Sequence, residues 1–368
     1  MFVALTSTYG LRSRLGQPAS GDLVERLEVY AELASDRTPM RVAVLDDDDS
    51  MAFFGLRSTL DTQAFVVREL IRLIQDELQR RGDRLDGVLL VGGDDVFPFW
   101  RFTNPVADRL LDPDPIVLSD NPYGLCEDVE SLRPTVPVGR LCDGGSADAL
   151  REALDAMIAA VRQPAPRAGS LAAVNEAWID MSAPAVGSLE VPVAYRVCPY
   201  YKVTGGNTED FNRRFLYFNM HGFDGDPVWK GYDADRDLFA DCVTPASFTV
   251  ETTAGALIVS EVCYGAQVVG RRTDDSCAVA AQHCGAAAFI GATGLVFGSF
   301  LQPMLTLADA DRLAPQILER LVAGSPAGSA LCDGRRAFLE SPPRELTPYE
   351  KKTALQFVLL GDPSRRAA

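Results

Sequence analysis

Histidine is nearly missing from this chain: 368 residues carry only His221 and His283. Any imidazole chemistry must therefore run through one of two positions. The eight cysteines, scattered from Cys126 to Cys332, include no CxxC pair. That absence removes the usual zinc-ligand and dithiol spacings. No stretch reaches the roughly 18 consecutive apolar residues of a membrane-spanning helix. The opening MFVALTSTYGLRSRLG has neither a basic leader nor a long apolar segment, so no signal peptide is expected. Without an export signal, and in a chain too long to need disulfides for a core, the thiols are expected to stay reduced in a cytoplasm. Basic residues are scarce too: 35 Lys and Arg face 51 Asp and Glu, for a formal charge of −16. A surface of that sign argues against nucleic-acid binding and against anionic membranes, and leaves neutral or basic partners. Internal repeats and low-complexity tracts are also lacking.

What remains is globular: 47% hydrophobic and 23% charged residues can bury a sizeable core. At roughly 100–200 residues per domain, two units are expected. Residues 41–45, RVAVL, read as a strand running into four carboxylates at 46–49. Calcium loops place their oxygens at alternating positions, so this run reads as a solvated turn and lends a structural cation no support. Over 62–81, Phe65, Val66, Leu70, Ile71, Ile74 and Leu78 recur at helical spacing. LDGVLLVGGDD, 85–95, is a continuous apolar run closed by glycines, as in a strand buried on both faces. Ser146 is placed to cap a helix over 147–162. RQPAPRAGS, 162–170, reads as a linker between subdomains 1–163 and 170–368. Beyond it, strands are expected at 171–177, 215–220, 256–260 and 286–291, with helices near 276–283 and 310–323. Alternating strands and helices in both halves imply an α/β fold with a mainly parallel sheet flanked by helices.

Two of those strands end in reactive side chains. FLYFNMHG delivers His221 and Gly222, and ALIVSEVC delivers Cys263. In open parallel sheets, chemistry collects at the carboxyl ends of strands. Neighbouring strands would thus bring imidazole and thiol to one crevice, where the imidazole takes the thiol proton. The Gly222 and Cys263 N–H groups would then be candidates for an oxyanion hole. The plainer alternative is that both are core positions, since free cysteine is among the most buried residue types.

The constellation resembles the gingipain family of the caspase-like clan of cysteine peptidases. There an apolar strand ends in His-Gly and the next ends in an acid, a small residue and the nucleophilic Cys; here these are LYFNMHG and LIVSEVC. LLVGGDDVFPF (89–99), LSDNPYG (118–124), VPVGRLC (136–142), SCAVAAQHCGAAAFIGATG (276–294) and LLGDPS (359–364) follow the family in order. The resemblance implies a caspase/gingipain-like fold and a cysteine endopeptidase with Cys263 as nucleophile and His221 as base, using no organic cofactor. It also implies an orienting carboxylate after the strand LAAVNEAWID, Glu176 first and Asp180 second. A basic (Arg/Lys) P1 residue would be held by a buried acid, for which Asp180 and Glu190 are candidates. Phe223 departs from the family's small residue after His-Gly and would narrow the cleft. A cytoplasmic protease needs restraint, so control by a regulatory partner, a ligand or self-cleavage is expected.

Other readings compete. An inactive caspase-like scaffold binding a partner protein keeps the fold and discards the chemistry. FIGATGLVFGS, 289–299, invites a nicotinamide-dependent oxidoreductase, but Gly291-x-x-Gly294-x-x-x-Gly298 is one residue longer than the usual loop. His283 and Cys284 are adjacent on a helix, face different ways and read as packing positions. Trp229 either covers substrate or plugs a loop.

Overall fold

The strands of this chain are short, and seven of the fourteen among the described residues are apolar runs buried along their whole length. In the computed structural model, which describes residues 1–16, 19–35, 38–162, 167–203, 208–298, 309–340 and 345–367, the first half supplies β1 (Phe2–Thr6), β2 (Met40–Val44), β3 (Gly87–Val91), β4 (Trp100–Thr103), β5 (Ile116–Ser119) and β6 (Val138–Leu141). The second half supplies β7 (Ser170–Asn175), β8 (Val193–Cys198), β9 (Phe215–Asn219), β10 (Trp229–Asp233), β11 (Leu238–Val243), β12 (Leu257–Ser260), β13 (Ala288–Ala292) and β14 (Phe357–Gly361). Ten of them form one sheet in the order β2-β1-β3-β6-β14-β13-β12-β9-β7-β8. Every neighbouring pair is parallel except β13–β14. The last strand therefore returns between the halves and reverses the sheet's direction there. The middle of the expected linker, 163–166, lies outside the described residues.

Helices cover both faces. Helix Ala64–Arg80 buries Val67, Ile71, Ile74 and Leu78, one stripe at helical spacing, while Phe65 faces solvent. Ser146 accepts from Ala149 N–H at 3.0 Å and starts helix Ala147–Arg162 as its spacing predicts. The carboxylates at 46–49 serve helix starts: Asp46 accepts from the N–H groups of Thr8 and Tyr9, both at 2.7 Å, and Asp47 accepts from Ser50 N–H at 2.7 Å. In the second half, alternate residues of each strand enter different cores. Leu216, Phe218 and Ile258 pack on one face; Phe215, Tyr217, Leu257 and Val259 pack on the other.

A buried polar seam joins the halves. Helix Cys277–His283 ends against β6, where Gln282 Nε2 donates to Arg140 O at 2.6 Å and Gln282 Oε1 accepts from Cys142 N–H at 2.9 Å. His283 Nε2 lies 3.3 Å from the Cys142 carbonyl, which only accepts, so Nε2 carries the ring proton. Arg140, fully buried, makes a bidentate pair with Asp120 and donates to Phe97 O at 2.6 Å. A charge this deep persists only with its partners in place.

Burial lowers the His283 pKa from 6.5 to about 4. A depressed histidine binds its proton more readily in the unfolded chain, so its contribution is complete above about pH 6.5 and lost as pH falls towards 4. The contribution is at most roughly 3 kcal/mol. Urea midpoints should therefore drop more between pH 7 and 4.5 in wild type than in His283→Gln; equal drops would remove His283 from the acid response.

Candidate active site

Strands β7, β9, β12 and β13 are neighbours with a common direction, so their carboxyl ends open side by side. Each contributes one element. After β7 the chain makes a tight turn, Glu176–Trp178, and the Trp178 ring lies 4.3 Å from the His221 ring. After β9, His221 is pinned through its backbone: its N–H donates to Lys230 O at 2.9 Å and its carbonyl accepts from Lys230 N–H at 2.8 Å. After β12, Glu261 N–H donates to Phe218 O at 2.8 Å, and the turn carrying Cys263 closes with Gly265 N–H on Val262 O at 2.9 Å. After β13, Val296 meets the thiol: its N–H donates to Cys263 Sγ at 3.4 Å, and the thiol donates back to its carbonyl at 3.5 Å.

The two turns touch. A Cβ at position 222 would fall 1.9 Å from the Cys263 carbonyl oxygen, so only glycine fits after the histidine. His221 and Cys263 line one pocket of about 350 Å³, together with Trp178, Glu261, Val296 and Asp311. The structure brings the paired residues together as the strand pattern predicts. Among the described residues the thiol makes no hydrogen bond to the imidazole; it rests on Val296.

Both groups are neutral at pH 7. Burial lowers His221 from 6.5 to about 4. Its surroundings are rings: Trp178, Phe239 at 5.0 Å, Tyr232 at 6.3 Å and Phe223 at 6.5 Å. Burial also raises the Cys263 thiol, opposed in part by the Val296 N–H and the positive charge of Lys352. A neutral imidazole in the same pocket as a neutral thiol is a base that the thiol proton reaches only after leaving the Val296 carbonyl.

The remaining expected site residues lie elsewhere. Glu176 is exposed, accepts from Tyr200 Oη at 3.1 Å, and makes no hydrogen bond to His221 among the described residues. The turn after β7 throws its carboxylate outward and sends Trp178, two residues on, against the imidazole. Asp180 is exposed on helix Ile179–Gly187 and does not line the pocket; its charge acts on Tyr195. Glu190 accepts from Gly169 N–H at 3.0 Å and Arg214 Nη1 at 2.7 Å, at the start of β7 and β9 and so at the opposite end from the pocket. Trp229 is a plug: 3% exposed, it packs on Phe218, Phe248 and Phe289.

The acids that do face the pocket are Glu261 and Asp311, 4% and 7% exposed. Burial and then the Asp311 charge raise Glu261 well above the usual carboxylate range. Two carboxyls in contact cannot both ionise, so Glu261 holds the proton between them. Tyr217 Oη donates to Glu261 at 2.6 Å, and Asn219 Nδ2 donates to Asp311 at 3.3 Å. Glu261 stands two residues before the nucleophile, a signal the sequence carried; Asp311, on helix Asp309–Val322, had none.

In the glycine loop after β13, two backbone donors are already engaged within the protein. Leu295 N–H is taken by Asp114 Oδ2 at 2.9 Å and Val296 N–H by the thiol. A larger cavity, about 920 Å³, lies around His283 and Cys284 on the other side of the second half. His283 Nε2 bonds to the Cys142 carbonyl and the Cys284 thiol to the Phe248 carbonyl, so neither bonds to the other and both read as packing positions.

No protein-family model and no curated protein matches this sequence. Solved structures do match its fold. The Arg-specific cysteine proteinase gingipain R superposes with a TM-score of 0.66 at 13% identity, over 99% of this chain and 78% of that one. A complex of the pro- and mature domains of RgpB from Porphyromonas gingivalis gives 0.66 at 14% identity, over 100% and 79%. A structure described as a protease gives 0.61 at 12% identity, over 100% and 78%. The chain thus has the caspase-like fold of gingipain, a mostly parallel central sheet flanked by helices.

The 222–263 contact is testable through stability. Gly222→Ala should cost about 1–3 kcal/mol by urea unfolding, as overpacking does. Gly187→Ala, whose Cβ would meet nothing within 4 Å, serves as control and should change little. Equal effects at the two glycines would show that the turns yield.

Proposed function

We propose that this chain is a cysteine endopeptidase. The observation that carries the reading is the meeting of Cys263 and His221 in one pocket at adjacent parallel strand ends, with Gly222 packed against the Cys263 carbonyl. On substrate binding the thiol leaves Val296 and passes its proton to His221 as the sulfur attacks the scissile carbonyl. The imidazolium then protonates the leaving amine, and water, deprotonated by the same ring, releases the acyl group. The Gly222 and Cys263 amides hold the oxyanion; neither donates to a protein oxygen among the described residues. The Trp178 ring packs against the imidazole and limits its rotation.

The P1 residue in this reading is basic, and its acid is the Glu261–Asp311 pair in place of Asp180 or Glu190. A guanidinium or ammonium arriving between two carboxyls favours loss of their shared proton, and the buried charges then compensate one another. Leu111, Leu295 and Phe297 supply apolar wall for the aliphatic stem. Control by a partner, a ligand or self-cleavage belongs to the proposal, supported by the resting commitment of the thiol to Val296. So does a reducing, cytoplasmic setting, which keeps a nucleophilic thiol usable.

Peptide-library cleavage tests this directly. Wild type should cut after Arg or Lys, and Cys263→Ala and His221→Ala should not turn over. Glu261→Gln should lower kcat/KM for basic P1 peptides by roughly a hundredfold, with a smaller change for neutral ones. Cleavage retained by Cys263→Ala rejects the mechanism. A wild-type chain that cuts nothing, itself included, and whose Cys263 ignores a peptidyl chloromethyl ketone is a scaffold. Full activity of the purified chain on generic Arg or Lys peptides would remove the proposed restraint alone.

A further inference from the structure

Behind the nucleophile lies a charged cluster that neither the pocket nor the apolar cores account for. Lys352, on helix Pro348–Gln356, is fully buried, and its Nζ donates to Asp112 at 2.6 Å and to Asp114 at 2.9 Å. Asp112 is fully buried as well, and the Asp114 side chain is 15% exposed. Such a group is costly compared with apolar packing of the same volume. Its use shows in where Asp114 points. Asp114 Oδ1 accepts from Tyr264 Oη at 2.7 Å, on the residue directly after Cys263. Asp114 Oδ2 accepts from Leu295 N–H at 2.9 Å, on the residue directly before Val296, which holds the thiol from both its N–H and its carbonyl.

The neighbouring backbone is fitted to this carboxylate. A Cβ on Gly294 would lie 2.7 Å from Asp114 Oδ2. Tyr264 N–H donates to Gly294 O at 2.9 Å, which closes the ring between the two walls of the nucleophile. Tyr264 has φ +56°, a conformation that a residue with a Cβ adopts only when its surroundings hold it there. The loop presenting Asp114 is itself fixed, since Asn104 Nδ2 and Arg109 Nη1 each donate to the Asp114 carbonyl at 2.8 Å. Although burial opposes ionisation, hydrogen bonds from Lys352, Leu295 and Tyr264 keep the Asp114 carboxyl below its ordinary range. It is an anion accepting three donors.

We propose that Asp114 is a positioning residue for Cys263, held in place by the Lys352 cation and acting through Tyr264 and Leu295 on the turn that carries the thiol and its amide. The proposal rests on the cysteine peptidase reading. It makes the site a product of three parts of the chain: an anion from the first half, a cation from the closing helix, and the nucleophile turn between them.

The test uses the full chain and three measurements: kcat and KM on the best library peptide, the iodoacetamide alkylation rate of Cys263 against that of half-buried Cys284 across pH, and urea unfolding. Tyr264→Phe deletes one hydrogen bond and keeps the ring. It should lower kcat by roughly tenfold with KM nearly unchanged, and alter the Cys263 alkylation profile while leaving that of Cys284 alone. Asp114→Asn should lower kcat further, by roughly a hundredfold. If Asp114→Asn fails to fold, Tyr264→Phe decides. Wild-type kcat and wild-type alkylation in Tyr264→Phe, with only stability lost, overturn the positioning role and leave the peptidase reading standing. A wild type that neither cleaves nor alkylates Cys263 in preference to Cys284 overturns both.

Discussion

The close approach of Gly222 to the Cys263 carbonyl is the constraint on which the site depends. Parallel pairing of β9 with β12 fixes where the two turns begin, and the absence of a side chain at 222 lets them close on each other. Once they touch, the imidazole and the thiol have little freedom except rotation of their own side chains. The outer turns are set by the same pairing. β7 delivers Trp178 to the far side of the imidazole, and β13 delivers Val296 to the far side of the thiol. Four strand ends in one direction thus assemble a thiol, an imidazole, an aromatic wall and a resting place for the sulfur.

Much of this was legible because parallel strands buried on both faces are written as continuous apolar runs closed by glycine. FLYFN and LIVS carry that signature, and so do the reactive residues that follow them. Other elements left weaker traces. β10 and β11, WKGYD and LFADCV, mix charges into an antiparallel hairpin whose pairing is local, yet they pin His221 and bring Phe239 to its ring. The carboxylate expected beside the imidazole lies elsewhere for a geometric reason. A tight turn after β7 rotates the chain, so the residue facing the imidazole is Trp178, not the nearer carboxylate Glu176. Local reading misplaces Glu190, and leaves Trp229 open between plug and substrate cover, because sequence distance from a strand does not reveal which end of the sheet, or which face, a side chain reaches.

The charged cluster behind the nucleophile shows the limit of local reading most clearly. Asp114 and Lys352 are separated by 238 positions, and nothing in either neighbourhood announces the other. What joins them is topology. β14 returns antiparallel between β6 and β13, and the closing helix that leads into it packs on β13 and on β5 of the first half. Only then can a loop of the first half lay a carboxylate on the nucleophile turn of the second. The reversal of strand direction is therefore part of how the site is built.

The resting electrostatics decide between two ways of using a thiol. A preformed thiolate–imidazolium pair requires a depressed thiol and an elevated imidazole. Here both shifts run the other way: burial raises Cys263 and lowers His221 to about 4. The ion pair is thus the costlier state twice over, and the sulfur spends its time as a neutral thiol on the Val296 backbone. In the proposed peptidase mechanism, proton transfer would then accompany attack, at the moment when oxyanion contacts and substrate dipoles compensate the charges being made. In that proposed mechanism the thiol stays quiet on the Val296 backbone until a substrate fills the pocket.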